Sequence, residues 1–230
     1  MAETASFNAI CDTVSSLNSS NWDSWDSGAY QGSYNAGTAR FGALLFEGLR
    51  DSIDWRMTDI SKITLQLTFG AAGGNSKSKT LYLYQGTQTQ ITGTGSAMKG
   101  DEVGAIDTIT YGYDCTEAIE FDVSTNSAEY EGLVSWLTDT ESLTLVLYED
   151  AESESGSYSD GYLCITGATL TVEYTESPFY VYKDGSYINA IPYMYINGEW
   201  VRIGAYYLLY MLTDGAGIVL TDENGNILTM

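Results

Sequence analysis

The chain has 230 residues, 44% hydrophobic but only 17% charged, which is enough apolar material for one large β domain or a domain with an appendage. Nine basic residues against thirty-one acidic ones leave a formal charge of −22; this excludes contacts that neutralise nucleic-acid phosphates and disfavours an anionic membrane surface. Histidine is absent, which removes Ser-His-Asp and Cys-His pairs and the common His-containing zinc and iron sites.

In the first twenty residues, Phe7, Ile10, Val14 and Leu17 recur at spacings of three and four. That stripe predicts a helix capped by Thr4, and the Ser/Thr/Asn content equally suits an extended arm. Residues 1–20 are therefore read as an N-terminal arm or helix, a candidate anchor carried by those four apolar side chains. The opening MAETASFNAI has no basic region followed by an apolar one, so no signal peptide is expected. No apolar run approaches the ~18 residues that span a bilayer, so no membrane insertion is expected. Cys11, Cys115 and Cys164 are scattered and form no CxxC pair, so no zinc site or redox dithiol is expected; Cys115 and Cys164, among strand-like residues, are read as small buried hydrophobes of a protein made in a reducing cytoplasm.

Residues 18–39 read as a polar loop holding Trp22, Trp25, Tyr30 and Tyr34, four candidate glycan or receptor contacts. Packing within a core or between subunits is the commoner use of such side chains. Asp23 and Asp26, in WDSWD, are the one carboxylate pair considered for glycoside hydrolysis, and they are read as a solvated loop.

From Arg40 the texture turns to strands. RFGALLFEGL reads as a buried strand, and KITLQLTFG alternates Ile63, Leu65, Leu67 and Phe69 with polar neighbours. TLYLYQG alternates again, so the two are expected to form a hairpin across the glycine-rich 70–80 segment. That segment is no P-loop, because neither Lys77 nor Lys79 follows a glycine. Further strands are expected at 118–123, 142–150, 162–166 and 168–174, with a short helix over 126–137 around Leu133, Trp136 and Leu137. Turn-separated strands with so little helix predict an antiparallel sandwich. The acidic 149–160 stretch is read as a solvated loop blunting a sheet edge.

Pro178 and Pro192 are the only two prolines, and each opens a copy of a 13-residue repeat. Tyr182 recurs as Tyr195, Asp184-Gly185 as Asn197-Gly198, and Tyr187 as Trp200. The Asx-Gly pairs predict two-residue hairpin turns, and Asn224-Gly225 predicts a third hairpin. Tyr182, Tyr187, Tyr195 and Trp200 are expected to pack on one another, on the sandwich or on neighbouring subunits. TDENGNIL has Ile227 where a calcium loop requires glycine, and no glutamate follows at the loop's twelfth position, so it is read as a hairpin. No cofactor and no metal site are expected; structural calcium in an acidic loop is a minor alternative, since carboxylates and carbonyls are all it requires.

Two resemblances follow from these segments. RFGALLFEGL, the ITLQLTFG…SKTLYLYQGT pair and SYSDGYLCITGATLTVEY resemble jelly-roll modules of the disaggregatase-related and carbohydrate-binding type. FYVYKDGSY, PYMYINGEW and LTDENGNIL resemble the C-terminal PYVYxNGxW modules of structural proteins from phages of Gram-positive and gut bacteria, with Tyr187 standing where Trp is usual. The fold implied is all-β: an antiparallel jelly-roll β-sandwich over 21–176, the arm or helix before it, and a small β-hairpin module over 177–230. The role implied is a non-enzymatic bacteriophage virion protein, a head fibre, capsid decoration or tail accessory, displayed on the particle exterior. Its partners would be two further copies in a homotrimer, other virion proteins and a host cell-surface glycan. The alternative is a bacterial surface or secreted carbohydrate-binding module, which needs an export signal. Neither resemblance carries a catalytic residue.

Overall fold

Branched and aromatic residues at alternate positions make strands the dominant element. The structure, a computed structural model, describes residues 2–22, 28–33, 39–70, 78–110, 115–122, 127–148 and 162–176, then 179–183, 186–190, 193–196, 199–202, 220–221 and 227–228; from residue 176 onward the backbone alone is described. Nine strands form the main body: β1 (Glu3–Val14), β2 (Ala29–Ser33), β3 (Ala39–Phe46), β4 (Thr58–Phe69), β5 (Ser78–Gly86), β6 (Lys99–Thr110), β7 (Cys115–Asp122), β8 (Thr144–Leu147) and β9 (Tyr162–Glu176). Two helices, α1 (Gly95–Met98) and α2 (Ala128–Asp139), and a 3-10 turn at Trp55–Met57 join them.

The strands run in the order β6-β5-β8-β3-β1-β9-β4-β7, with β2 bridging β3 and β9, and all pairings are antiparallel. β1 makes the path fold into two layers. Its first half, Glu3 to Asn8, pairs with β9, and its second half, Ala9 to Val14, pairs with β3. Leaving β2 aside, one layer reads first-eighth-third-sixth strand and the other second-seventh-fourth-fifth. That interleaving is the jelly roll, two Greek keys wound together, so the all-β sandwich expectation holds.

Between the layers lies one core. Ile63, Leu65, Leu67 and Phe69 from β4 and Leu170 and Val172 from β9 meet Leu44, Phe46, Leu81, Leu83, Leu145 and Leu147 from the other layer. Helix α2 closes one side. Ser127 caps it by accepting from the Tyr130 amide at 3.1 Å, and Glu129 and Glu131 sit in the first turn, where the helix dipole favours them. Its buried face is Tyr130, Leu133, Trp136 and Leu137, with Tyr130, Trp136 and Leu137 three or four residues from Leu133.

Four expectations are corrected. The N-terminal helical stripe is not a helix, and residues 3–14 are a strand inside the sheet rather than an arm apart from it. Ala5, Phe7, Ala9 and Cys11 all pack on the core, so small residues carry a strand period that the larger Phe7, Ile10 and Val14 conceal. Second, β4 and β5 are not a hairpin: β4 lies between β9 and β7, and β5 between β8 and β6. Alternation fixes which face of a strand is apolar but not which strand pairs with it. Third, residues 162–176 form one strand through Gly167, not two. Fourth, β2 and β6 were not expected. In β6 the alternation breaks at a register shift near Gly104, whose φ of +140° suits a residue without a side chain.

The tail forms three local ribbons: β10 (Phe179–Lys183) with β11 (Ser186–Ala190), β12 (Tyr193–Ile196) with β13 (Glu199–Arg202), and β14 (Leu220–Thr221) with β15 (Ile227–Leu228). Lys183 pairs with Ser186 and Ile196 with Glu199, as two-residue turns require. In the third ribbon Thr221 pairs with Ile227, so residues 222–226 intervene rather than a two-residue turn; they lie outside the described residues.

Candidate functional site

One outer face of the sandwich holds an aromatic cluster. β3 and β8 are apolar on both faces, so their backs need cover as well as their fronts. Phe41, Ala43, Tyr84, Val146 and Tyr148 form that back face, and Val14, Leu17, Trp22, Ile91 and Met98 close over it. Tyr148 lies 4.6 Å from Phe41 and 5.8 Å from Tyr84 between ring centroids. Its hydroxyl donates to the Gly95 carbonyl, and burial raises its pKa above the ordinary tyrosine range. Lys99 places its ammonium 4.4 Å from the Tyr84 ring centroid and 5.2 Å from that of Tyr148, a cation–π arrangement. Burial lowers the Lys99 pKa, and Glu102 opposes that shift.

Trp22 is half-buried at the rim of this cluster. Its indole N–H donates to the Gly93 carbonyl at 2.9 Å, and its backbone bridges to Val14. The ring therefore pins the 87–98 segment over the sheet. Tyr30 is 5% exposed and lies elsewhere, 5.3 Å from Tyr162, with the Arg40 guanidinium 5.3 Å from its centroid. The structure thus does not bring Trp22 and Tyr30 into one glycan platform: they sit in separate clusters. Trp25 and Tyr34, and Asp23 and Asp26, lie outside the described residues.

Beside Tyr30, Gln31 is fully buried and was not singled out in the sequence. Its amide donates to the Thr80 carbonyl at 2.7 Å and accepts from the Tyr82 N–H at 2.9 Å. It thus mimics a strand partner for β5 beyond Leu83↔Leu147, the last described pair with β8. Nothing in a lone glutamine signals this; only the crossing of β2 over the sheet creates the need.

The four N-terminal apolar residues diverge. Phe7 stands edge-on to Trp55 at 6.0 Å, Val14 is fully buried, and Leu17 is partly buried against the aromatic cluster. Ile10 is 49% exposed, on the opposite face of β1 from Phe7. Around it the outer face of the β1-β9-β4-β7 layer carries hydrogen-bonded and ion-paired polar side chains. Asn8 accepts from Thr169 at 2.9 Å, Ser6 and Thr171 share a hydrogen bond at 3.0 Å, and Lys62 pairs with Glu120 at 2.9 Å.

In the tail, the register sets Tyr182 opposite Tyr187 and Tyr195 opposite Trp200. Among the described residues no three Cys, Asp or Glu side chains are placed to hold a metal ion, and no helix is long and apolar enough to cross a membrane. No protein-family model matches this sequence, and no curated protein matches it either.

Proposed function

We propose that this chain is a non-enzymatic bacteriophage virion structural protein, displayed on the particle exterior as a head fibre, capsid decoration or tail accessory and assembled as a homotrimer. The observation that carries the reading is the tail: tandem aromatic ribbons whose strands are separated in sequence by Asx-Gly pairs, resembling phage structural modules, each paired only within itself among the described residues. A two-stranded ribbon is at best marginally stable in water, so such a tail gains its burial from a larger assembly. The jelly-roll body suits display, since its outer layer of hydrogen-bonded Ser, Thr and Asn is hydrated without many charges. The charge of −22 keeps many crowded copies soluble.

Mass spectrometry of gradient-purified particles from the source phage or prophage tests this directly, together with light scattering of the purified chain. The chain should co-sediment with capsids or tails at stoichiometric copy number and run as a trimer. A monomer absent from every particle fraction would sink the reading and favour the secreted carbohydrate-binding alternative.

A further inference from the structure

The strand register lays out the outer face of the β1-β9-β4-β7 layer in rows. Asn8 pairs with Thr169, Thr169 also with Gln66, and Gln66 with Ala118, one row across all four strands. Ser6, Thr171 and Thr64 make the next row, which ends in Glu120 on β7. On the other side of the first row stand Thr68, paired with Thr116, and Ile10, two residues on from Asn8. Successive strand residues alternate between faces, and each of these side chains is exposed or half-buried.

Charge is confined to the margins of this face. Lys62 and Glu120 form their pair at 2.9 Å, Glu173 and Asp59 lie toward the end where β9 leaves, and Asp12 follows Ile10. Asp122 takes the register position beside Lys62. Inside those margins stand only Ser, Thr, Asn, Gln, Ala and Ile, in a chain of formal charge −22. Two copies of so acidic a chain repel wherever acidic surfaces are pressed together, and the centres of protein interfaces are depleted of charge. The bonds Ser6–Thr171 at 3.0 Å and Asn8–Thr169 at 2.9 Å already satisfy some of the polar groups, which lowers the cost of covering them. The remaining groups keep bridging water, as polar interfaces do. Ile10, at 49%, is the one large hydrophobic side chain so exposed among the described residues, and it gains by leaving water. A second uncharged surface, over 15–22 and 87–98, has its large apolar residues Leu17, Trp22 and Ile91 already packed on the aromatic cluster.

We propose that this uncharged face is the surface on which the sandwiches of separate copies of this chain meet. The assignment rests on the self-association in the reading above, not on the virion, and names its surface. Four strands about 4.8 Å apart, over seven residues of about 3.3 Å rise, give roughly 440 Å² of flat area per copy. That is a little over half of the ~800 Å² per partner of a stable interface, so the face needs a second contact. β9 runs on into the tail from the charged end of the same layer, and tail and face together hold the copies more tightly than either alone.

The test uses the full chain. Asn8→Asp with Gln66→Glu preserves both side-chain shapes and puts two like charges per copy into the first row. Sedimentation and light scattering over a concentration series should show assembly shifted to about tenfold higher concentration or more, with the urea midpoint of dilute chain unchanged. Gln66→Cys chains should be joined copy to copy by a short bismaleimide faster than Thr92→Cys chains, which report on the second uncharged surface, and faster than unmodified chain. An unmodified chain that stays monomeric throughout the series would overturn the proposal. So would a double variant that assembles like the unmodified chain, or crosslinking at Gln66→Cys no faster than at Thr92→Cys. Particle association is measured separately: a chain that assembles through this face but is absent from particles fails only the virion reading, and a particle-bound chain whose double variant assembles normally fails only this one.

Discussion

Arg50 closes the end of helix α2. Its guanidinium donates to the carbonyls of Leu137 at 2.5 Å, Trp136 at 2.8 Å and Ser142 at 3.2 Å. Burial lowers its pKa and Glu141 pulls it back up, so the charge is held where the helix dipole is negative. Arg50→Ala should cost about 3 kcal/mol, read as a fall in the urea midpoint, because partly buried carbonyls lose their donors. Arg50→Lys should recover less than half, since one ammonium cannot span three acceptors in a fork. Cys11 gives a pH-dependent prediction. Burial above all, then Cys164 and Asp12, pushes its thiol from 9.0 up to about 11. Between those values the unfolded chain releases this proton while the folded chain keeps it. Stability is therefore intact below pH 9 and falls by on the order of 2 kcal/mol as pH rises to 11. Cys11→Ala should flatten that part of the profile of urea midpoint against pH, leaving the alkaline contribution of Tyr148 common to both proteins. Neither residue was legible in the sequence: Arg50 is one cation after an apolar run, and its acceptors are nearly ninety residues away.

At the scale of elements, strands were readable wherever large apolar residues alternate, as in β4 and β5, and obscured where small ones carry the period. β1 is the clear case, with Ala5, Ala9 and Cys11 facing the core beside Phe7. Partner choice was unreadable even for well-marked strands, because β4 and β5 contribute to one core from opposite layers. The close approach of β2 to β3 gives an element-level prediction. A Cβ on Gly42 would lie 2.7 Å from the Tyr30 nitrogen and 2.8 Å from the Ala29 carbonyl carbon. These are backbone atoms held in ladders, and the Tyr30 amide also donates to Thr13 at 2.9 Å. Gly42→Ala should destabilise by about 3 kcal/mol, and hydrogen exchange should show the loss of protection centred on residues 29–32. Uniform loss across all strands would contradict this local account. The site aromatics divide along the same line. The full burial of β8 was signalled by its unbroken TLVL run, whereas the meeting of Trp22 with Gly93 across seventy-one residues was not.

For the whole molecule, the ladders divide the chain at its tail. β9 ends at Glu176 inside the nine-stranded sheet, and among the described residues none of the three ribbons beyond it pairs with that sheet. A chain ending at Glu176 should therefore unfold cooperatively at the urea midpoint of the full chain, while light scattering should show the proposed trimer weakened or lost. A truncated chain that stays trimeric would place assembly in the sandwich instead. Composition, charge and alternation were sufficient by themselves to determine an acidic all-β protein without histidine chemistry and its tandem ribbons, because these depend on local periodicity and turn residues. Tertiary structure alone decided that the N-terminal stripe is a strand shared between two layers, that β4 and β5 part company, and that Trp22 and Tyr30 belong to separate clusters. Those outcomes depend on which distant strand completes each ladder, and a period-two pattern specifies a face to bury without naming the partner that buries it.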